Sequence, residues 1–96
     1  MVKVVARSIV KDENLEEYIK LAKKMVEATR VEEGCIFYSL HQEIDNPNML
    51  TFIEAWRDKE CLDKHLQSEH IKTIAPKLRT MRENSEMNVY RDLFEV

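Results

Sequence analysis

The chain has 96 residues, 44% of them hydrophobic and 34% charged, with one glycine and two prolines. That length suits one domain with one core, small enough to gain from a partner, and the composition is too apolar for a disordered chain. The net charge of −3, with acids and bases interleaved, leaves no basic face for nucleic acid, and no apolar run approaches the roughly 20 residues of a membrane span.

The opening residues, MVKVVARSIVKDE, lack the long apolar core and small-residue cleavage site of a signal peptide, so a cytoplasmic location is expected. Val2 to Val10 reads as a strand with Val2, Val4, Ala6 and Ser8 on one face and Val5 and Ile9 on the other. Both faces are largely apolar, as in a central strand covered on two sides. Asp12 or Asn14 can cap the helix that follows, and Asn14 with Glu17 has capping-box spacing. Leu15, Tyr18, Ile19, Ala22, Met25, Val26 and Thr29 recur at three- and four-residue steps, which predicts an amphipathic helix running to about Val31 and stopping before Gly34.

Cys35 to Ile44 alternates as a strand, with Ile36, Tyr38, Leu40 and Ile44 on one face and Phe37, Ser39, His41 and Glu43 on the other. Asp45-Asn46-Pro47-Asn48 is a turn, and Met49 to Trp56 returns as the second arm of a hairpin. Leu50, Phe52, Glu54 and Trp56 share one face of that arm. Asp58 can cap a second helix whose inner face carries Cys61, Leu62, His65 and Leu66. Ser68 can interrupt it and cap a short helix holding Ile71, Ile74, Ala75 and Leu78, which Pro76 kinks or ends. Lys77 to Asn84 is polar, and Glu86 to Val96 reads as a last strand. The order β-α-β-β-α-β predicts an α+β, ferredoxin-like domain over residues 1–96, with two helices on one face of a four-stranded antiparallel sheet. The helices cover one face but the strands carry apolar residues on both, so Phe37, Ile53 and Ala55 or their opposites need a further cover, which predicts a homodimer through sheet faces.

The least routine polar and aromatic residues gather between Glu54 and His70, across one strand-to-helix junction. Cys35 and Cys61 form no CxxC pair and read as two reduced, partly buried thiols. Cys61 lies one helical turn before His65, which leaves a Cys–His nucleophile formally open, although spacing alone cannot show an oriented base. His65 and His70 stand at i,i+5, which is not the i,i+4 spacing of a helical two-histidine metal site, and no third ligand is evident, so no metal site is expected.

Glu33-Gly34-Cys35 followed by Tyr38, then Phe52-Ile53-Glu54-Ala55-Trp56-Arg57-Asp58, then Leu62, His65, Ser68 and His70, resembles the antibiotic biosynthesis monooxygenase domain, in particular its small stand-alone members of quinol monooxygenase type. The resemblance spans Val2 to about Val96 and implies a dimeric α+β barrel. It further implies oxidation of quinol- or polyphenol-type small molecules by molecular oxygen without flavin, haem or metal. In such chemistry a bound phenol is deprotonated and becomes electron-rich enough to reduce oxygen. Other relatives isomerise or break down a signalling sugar derivative, degrade haem, or have no known reaction. The haem-degrading branch has an Asn in the first strand, a Trp in the helix after the third strand and a later iron-binding His. Val2 to Val10 has no Asn, His65 stands at the Trp position and no His follows His70, so that reaction is not expected here.

With the resemblance, His65 and Glu54 are the catalytic candidates, and Trp56, Tyr38 and His70 the candidates for binding an aromatic substrate. His65 reads either as a core-edge histidine bonded to backbone or as a general base near neutral pH. Glu54, on an apolar strand face, must find a partner such as Arg7 or shift its pKa upward; in the functional reading it orients His65 or takes a proton. Trp56 and Tyr38 are packing residues or pocket walls. Two further functions fit the same residues: a dimeric ligand-binding or stress-response module without turnover, and an isomerase or lyase acting on a small oxygenated metabolite.

Overall fold

The first strand becomes one of the two inner strands of the sheet. In the computed structural model, which describes residues 1–95, the elements follow as β1 (Val2–Val10), one 3-10 turn at Asp12–Asn14, α1 (Leu15–Thr29), β2 (Cys35–Gln42), β3 (Met49–Trp56), α2 (Lys59–Leu66), α3 (Glu69–Met81) and β4 (Arg82–Arg91). The strands lie in the order β2-β3-β1-β4, and every neighbouring pair is antiparallel. This is the predicted ferredoxin-like arrangement, with its second helical segment divided in two.

Register decides which residues meet. Val4 lies between Glu54 of β3 and Val89 of β4, so the even-numbered residues of β1 share a face with Leu50, Phe52, Glu54 and Trp56. The helices cover that face. Val4, Ser8 and Val10 are buried there against Tyr18, Ala22, Met25 and Val26, the stripe that the α1 periodicity predicts. Trp56 is wholly buried, and burying a side chain of that size contributes about 3 kcal/mol. On the other face Phe37, Ile53 and Tyr90 remain substantially exposed.

The structure departs from the sequence reading at several element ends. Asn14 makes no side-chain cap on α1; its amide instead donates to the Met81 carbonyl at 3.4 Å, tying the start of α1 to the end of α3. The helix ends at Thr29, two residues earlier than predicted. Ile36 does not share the face of Tyr38. Cys35 pairs with Trp56 and Phe37 with Ala55, so two residues of β2 oppose one step of β3, and this bulge turns Ile36 outward. Ile44 lies beyond the end of β2 and is exposed. Leu66 is also partly exposed rather than part of the inner face of α2.

Pro76 neither ends nor shortens α3, which continues to Met81. Leu78 is buried beyond it, and Ile71, Ile74, Ala75 and Met81 pack against the core, so tertiary burial on both sides of the proline offsets its missing N–H. The polar stretch from Lys77 to Asn84 is therefore helix and then strand. β4 begins at Arg82 rather than Glu86, because β1 offers backbone partners as far as Val10, which pairs with Arg82. It ends at Arg91: Asp92 to Glu95, predicted as its continuation, are not strand, and Val96 lies outside the described residues.

Gly34 fixes how the α1–β2 turn sits on the rest of the molecule. Its φ is +79°, a conformation that L side chains rarely adopt. Its carbonyl accepts from the Arg57 N–H at 2.8 Å, just past β3. A Cβ at this position would lie 2.3 Å from Cys61 Sγ and 2.7 Å from Cys61 Cβ, so backbone and α2 touch where any side chain would stand. Gly34→Ala combines a disfavoured φ with a steric overlap and is expected to lower the unfolding free energy by about 1–3 kcal/mol. Urea denaturation followed by circular dichroism measures this, and an unchanged midpoint would refute the close-approach account.

Candidate functional site

The α1–β2 turn also presents Glu32. Its N–H donates to the Thr29 carbonyl at 3.0 Å, and its own carbonyl accepts from the Cys35 N–H at 3.2 Å, so the backbone holds it firmly. The opposing groups come from the break between α2 and α3. The Ser68 N–H donates to the His65 carbonyl at 3.0 Å, closing α2, and Ser68 Oγ accepts from the Ile71 N–H at 3.4 Å, capping α3. His65 therefore sits in the last turn of one helix and His70 in the first turn of the next. The break brings together two histidines that an unbroken helix would hold apart.

Both histidines meet Glu32. His65 Nδ1 lies 2.6 Å and His70 Nε2 2.8 Å from the same oxygen, Glu32 Oε2. Ser68 Oγ is 3.2 Å from His70 Nε2. Behind this cluster the wall is aromatic. The His65 ring stacks at a tilt on Trp56, with centroids 4.6 Å apart, and meets Tyr38 edge-on at 5.3 Å. The Trp56 indole N–H donates to Glu54 Oε1 at 2.9 Å, and the Tyr38 hydroxyl donates to Met25 Sδ at 3.3 Å. His65, Trp56, Tyr38 and Glu54 are all buried, whereas the side chains of Glu32 and His70 are 17% and 19% exposed and form the rim.

Burial sets the protonation states. It pushes the Glu54 carboxyl up to about 7, against the opposing hydrogen bond from Trp56 and with a smaller upward push from the Glu32 charge. Burial also lowers the His65 pKa, and this outweighs the hydrogen bond and charge of Glu32, which favour the imidazolium. Near neutral pH the contact is therefore a neutral Nδ1–H donating to a carboxylate, which leaves the lone pair on His65 Nε2. Burial raises the Tyr38 pKa, so its phenol stays protonated. The Cys61 thiol is pushed up, first by its hydrogen bond to Asp58 and then by burial, and its sulfur accepts from the Arg57 guanidinium at 3.1 Å. A protonated thiol engaged with Arg57, beside a histidine turned to Glu32, is not an activated Cys–His pair.

All five residues singled out in the sequence converge on this cluster, but two of the expected pairings do not form. Arg7 does not partner Glu54. It pairs across the sheet with Thr51 and Glu86 on the uncovered face, where it lines a groove of about 400 Å³ with Ile9, Met49, Asn84, Ser85 and Glu86. Nor is Glu54 bonded to His65; it is held by Trp56, and the carboxylate that orients His65 is Glu32. Glu32 escaped sequence reasoning because it reads as one more charge before a turn. The available signal was its place immediately ahead of the Glu33-Gly34-Cys35 motif.

Residues 1–77 match the family model described as antibiotic biosynthesis monooxygenase. The chain belongs to the antibiotic biosynthesis monooxygenase family. A conserved protein from Methanosarcina mazei Go1 is 43% identical and superposes with a TM-score of 0.91 over 94% of this chain and 90% of that one. A crystal structure titled antibiotic biosynthesis monooxygenase is 29% identical, with a TM-score of 0.91 over 97% of this chain and 99% of that one. The uncharacterized protein sll1783 of Synechocystis sp. is 33% identical over 92% of this chain, which spans 61% of that relative's length. Among the described residues of this family member, no helix is long and apolar enough to cross a membrane.

The raised Glu54 pKa has a definite signature in stability. The unfolded carboxyl ionises near 4.5 and the folded one near 7, so the folded state holds the extra proton between those values. Stability therefore falls as pH rises through that window, by up to about 3 kcal/mol once both states are ionised. Glu54→Gln keeps an acceptor for Trp56 without the charge. The stability difference, variant minus wild type, is expected to grow between pH 5 and pH 8, as measured by urea denaturation at both values; a pH-independent difference would contradict the assignment.

Proposed function

We propose that this member of the antibiotic biosynthesis monooxygenase family oxidises quinol- or polyphenol-type molecules with molecular oxygen, as a single domain that pairs with a second copy in the cytoplasm, and without a flavin, haem or metal cofactor. The observation that carries this reading is the buried His65, neutral near pH 7 and oriented through Nδ1 by Glu32, packed between two aromatic walls beside a carboxyl that titrates near 7.

That geometry supports one assignment of roles. His65 Nε2 takes the phenolic proton, and Glu32 stabilises the imidazolium that forms. Trp56 and Tyr38 flank the ring, and His70 holds its oxygen at the rim. The electron-rich phenolate passes one electron to O2, and the resulting radical pair joins as a peroxide. Loss of water then leaves the hydroxylated quinone. For a simple quinol the balance is quinol + O2 → hydroxyquinone + H2O: the ring gives up four electrons, one oxygen atom enters it and the other leaves in water. Glu54, poised near 7, is the proton donor to the leaving oxygen. Because Trp56 and His65 are buried, admitting a ring requires neighbouring groups to give way. Phe37, Ile53 and Tyr90, left uncovered on the open sheet face, together with Met87 and Val89 on β4 beyond the reach of the helices, support pairing with a second copy.

One observation favours a second reading, a ligand-binding module without turnover: Glu32, His65 and His70 already satisfy one another by hydrogen bonds. Aerobic incubation of metal-stripped protein with a quinol panel separates the two readings. Oxygen uptake above the protein-free rate, falling at least about 100-fold in His65→Gln, supports the oxygenase. Ligand-dependent thermal stabilisation without product supports the binding module, and turnover without oxygen consumption an isomerase or lyase. Light scattering at micromolar concentration is expected to give the mass of two chains; the mass of one would refute the dimer.

A further inference from the structure

Three potential donor atoms on three separate segments lie close together. Glu32 Oε2, His65 Nδ1 and His70 Nε2 all lie within 4.8 Å of one another. We propose that Glu32, His65 and His70 form a binding site for a divalent transition-metal ion of the Zn²⁺ class. This inference goes beyond the oxygenase reading and does not depend on it.

The donor set selects the ion class. Two imidazole nitrogens and one carboxylate oxygen suit ions of borderline softness, Zn²⁺ foremost at ordinary availability, with Co²⁺, Ni²⁺ and Fe²⁺ as alternatives, rather than Ca²⁺ or Mg²⁺, which favour oxygen-rich shells. The spacing is close to what such an ion needs. Ligands about 2.0–2.1 Å from a tetrahedral centre stand roughly 3.3 Å apart. The present separations of 2.6 and 2.8 Å are those of hydrogen bonds to a shared oxygen, so an ion requires these two to widen by about 0.5–0.7 Å while the two ring nitrogens, within 4.8 Å of one another, come to a similar spacing.

The parts that must give are the ones free to do so. Glu32 and His70 are at the rim, where their side chains can rotate and water can complete the coordination. His65 is fixed by Trp56 and Tyr38, so it supplies a rigid base to the site. A ring nitrogen that carries a proton can pass it to the other nitrogen of the same ring, and the lone pair so freed takes the ion. The i,i+5 spacing that argues against a site on a continuous helix is no obstacle, because Ser68 breaks the helix between the two residues.

Occupancy also changes what His65 can do. An ion on Nδ1 leaves the proton on Nε2, so His65 can no longer accept one from a phenol. Metal would then switch off a base-dependent reaction; this consequence, unlike the site, rests on the oxygenase reading.

The test uses the full chain, stripped with a chelator and dialysed. Zn²⁺ titration by calorimetry is expected to show one ion per chain, and Co²⁺ to give visible absorption bands that Zn²⁺ displaces. Glu32→Gln and His70→Asn are each expected to weaken binding by about tenfold or more. Circular dichroism verifies that both remain folded. Imidazole ¹⁵N spectra of the wild type, which need no variant, are expected to place the ion on Nδ1 of His65 and Nε2 of His70. The proposal is overturned if the wild type fails to bind, if both variants bind as tightly as it does, or if the perturbed nitrogens belong to the exposed His41.

Discussion

The absence of a side chain at position 34 is the constraint on which the candidate site rests. The α1–β2 turn can lie against α2 only because the Gly34 backbone occupies the space beside Cys61 where a Cβ would otherwise be. That contact sets the distance between the turn and the helix. Glu32, two residues before the glycine, is consequently held over the end of α2, where His65 and His70 can reach one of its oxygens. The Arg57 N–H on the Gly34 carbonyl locks the same turn to the end of β3, from which Trp56 and Glu54 project. Turn, strand and helix are thus brought together by backbone contacts before any ionisable group is considered.

Within that frame, burial gives two similar acids different characters. Glu32 sits at the rim with two imidazoles on one oxygen, while Glu54 is enclosed with a single indole N–H as its partner. The enclosed acid is pushed toward neutrality, and the cost of holding its charge is met by titration rather than by a salt bridge. His65 is shifted in the opposite sense by the same cause, toward its neutral form. A buried neutral base and a buried acid near its midpoint thus both rest against the Trp56 ring without a formal ion pair between them.

The arrangement of strands was legible because alternation carried it. Leu50, Phe52, Glu54 and Trp56 could face one way only if Met49 to Trp56 was a strand, and the structure keeps those bounds. The turn residues Asp45 to Asn48 likewise announced the hairpin. The ends of elements were less legible, because tertiary contacts decide them. Pro76 should stop a helix on local grounds, and it does not, since Leu78 and Met81 still have a core to pack against. Arg82 to Ser85 look like loop until the backbone of β1 is available to pair with them. The bulge at Ile36 leaves no mark on an alternating pattern that it shifts by one residue. Most of the site was visible as unusual residue types on apolar faces. Glu32 was not, because a charged residue next to a turn is ordinary until the fold shows what lies opposite.

The placement of β1 bears on how the molecule assembles. It is one of the two inner strands of the sheet, yet both of its partners are distant in sequence: Ile9 must find Met49, and Val10 must find Arg82. The pairing of β2 with β3, by contrast, closes through a short turn. Closing long loops costs entropy before any contact repays it, so topology of this kind slows folding relative to a helical bundle of equal length. A hairpin formed early would expose one edge until the N-terminal strand docks against it. Docking of β1 closes that edge, so its rate governs how long the hairpin edge stays open to other chains.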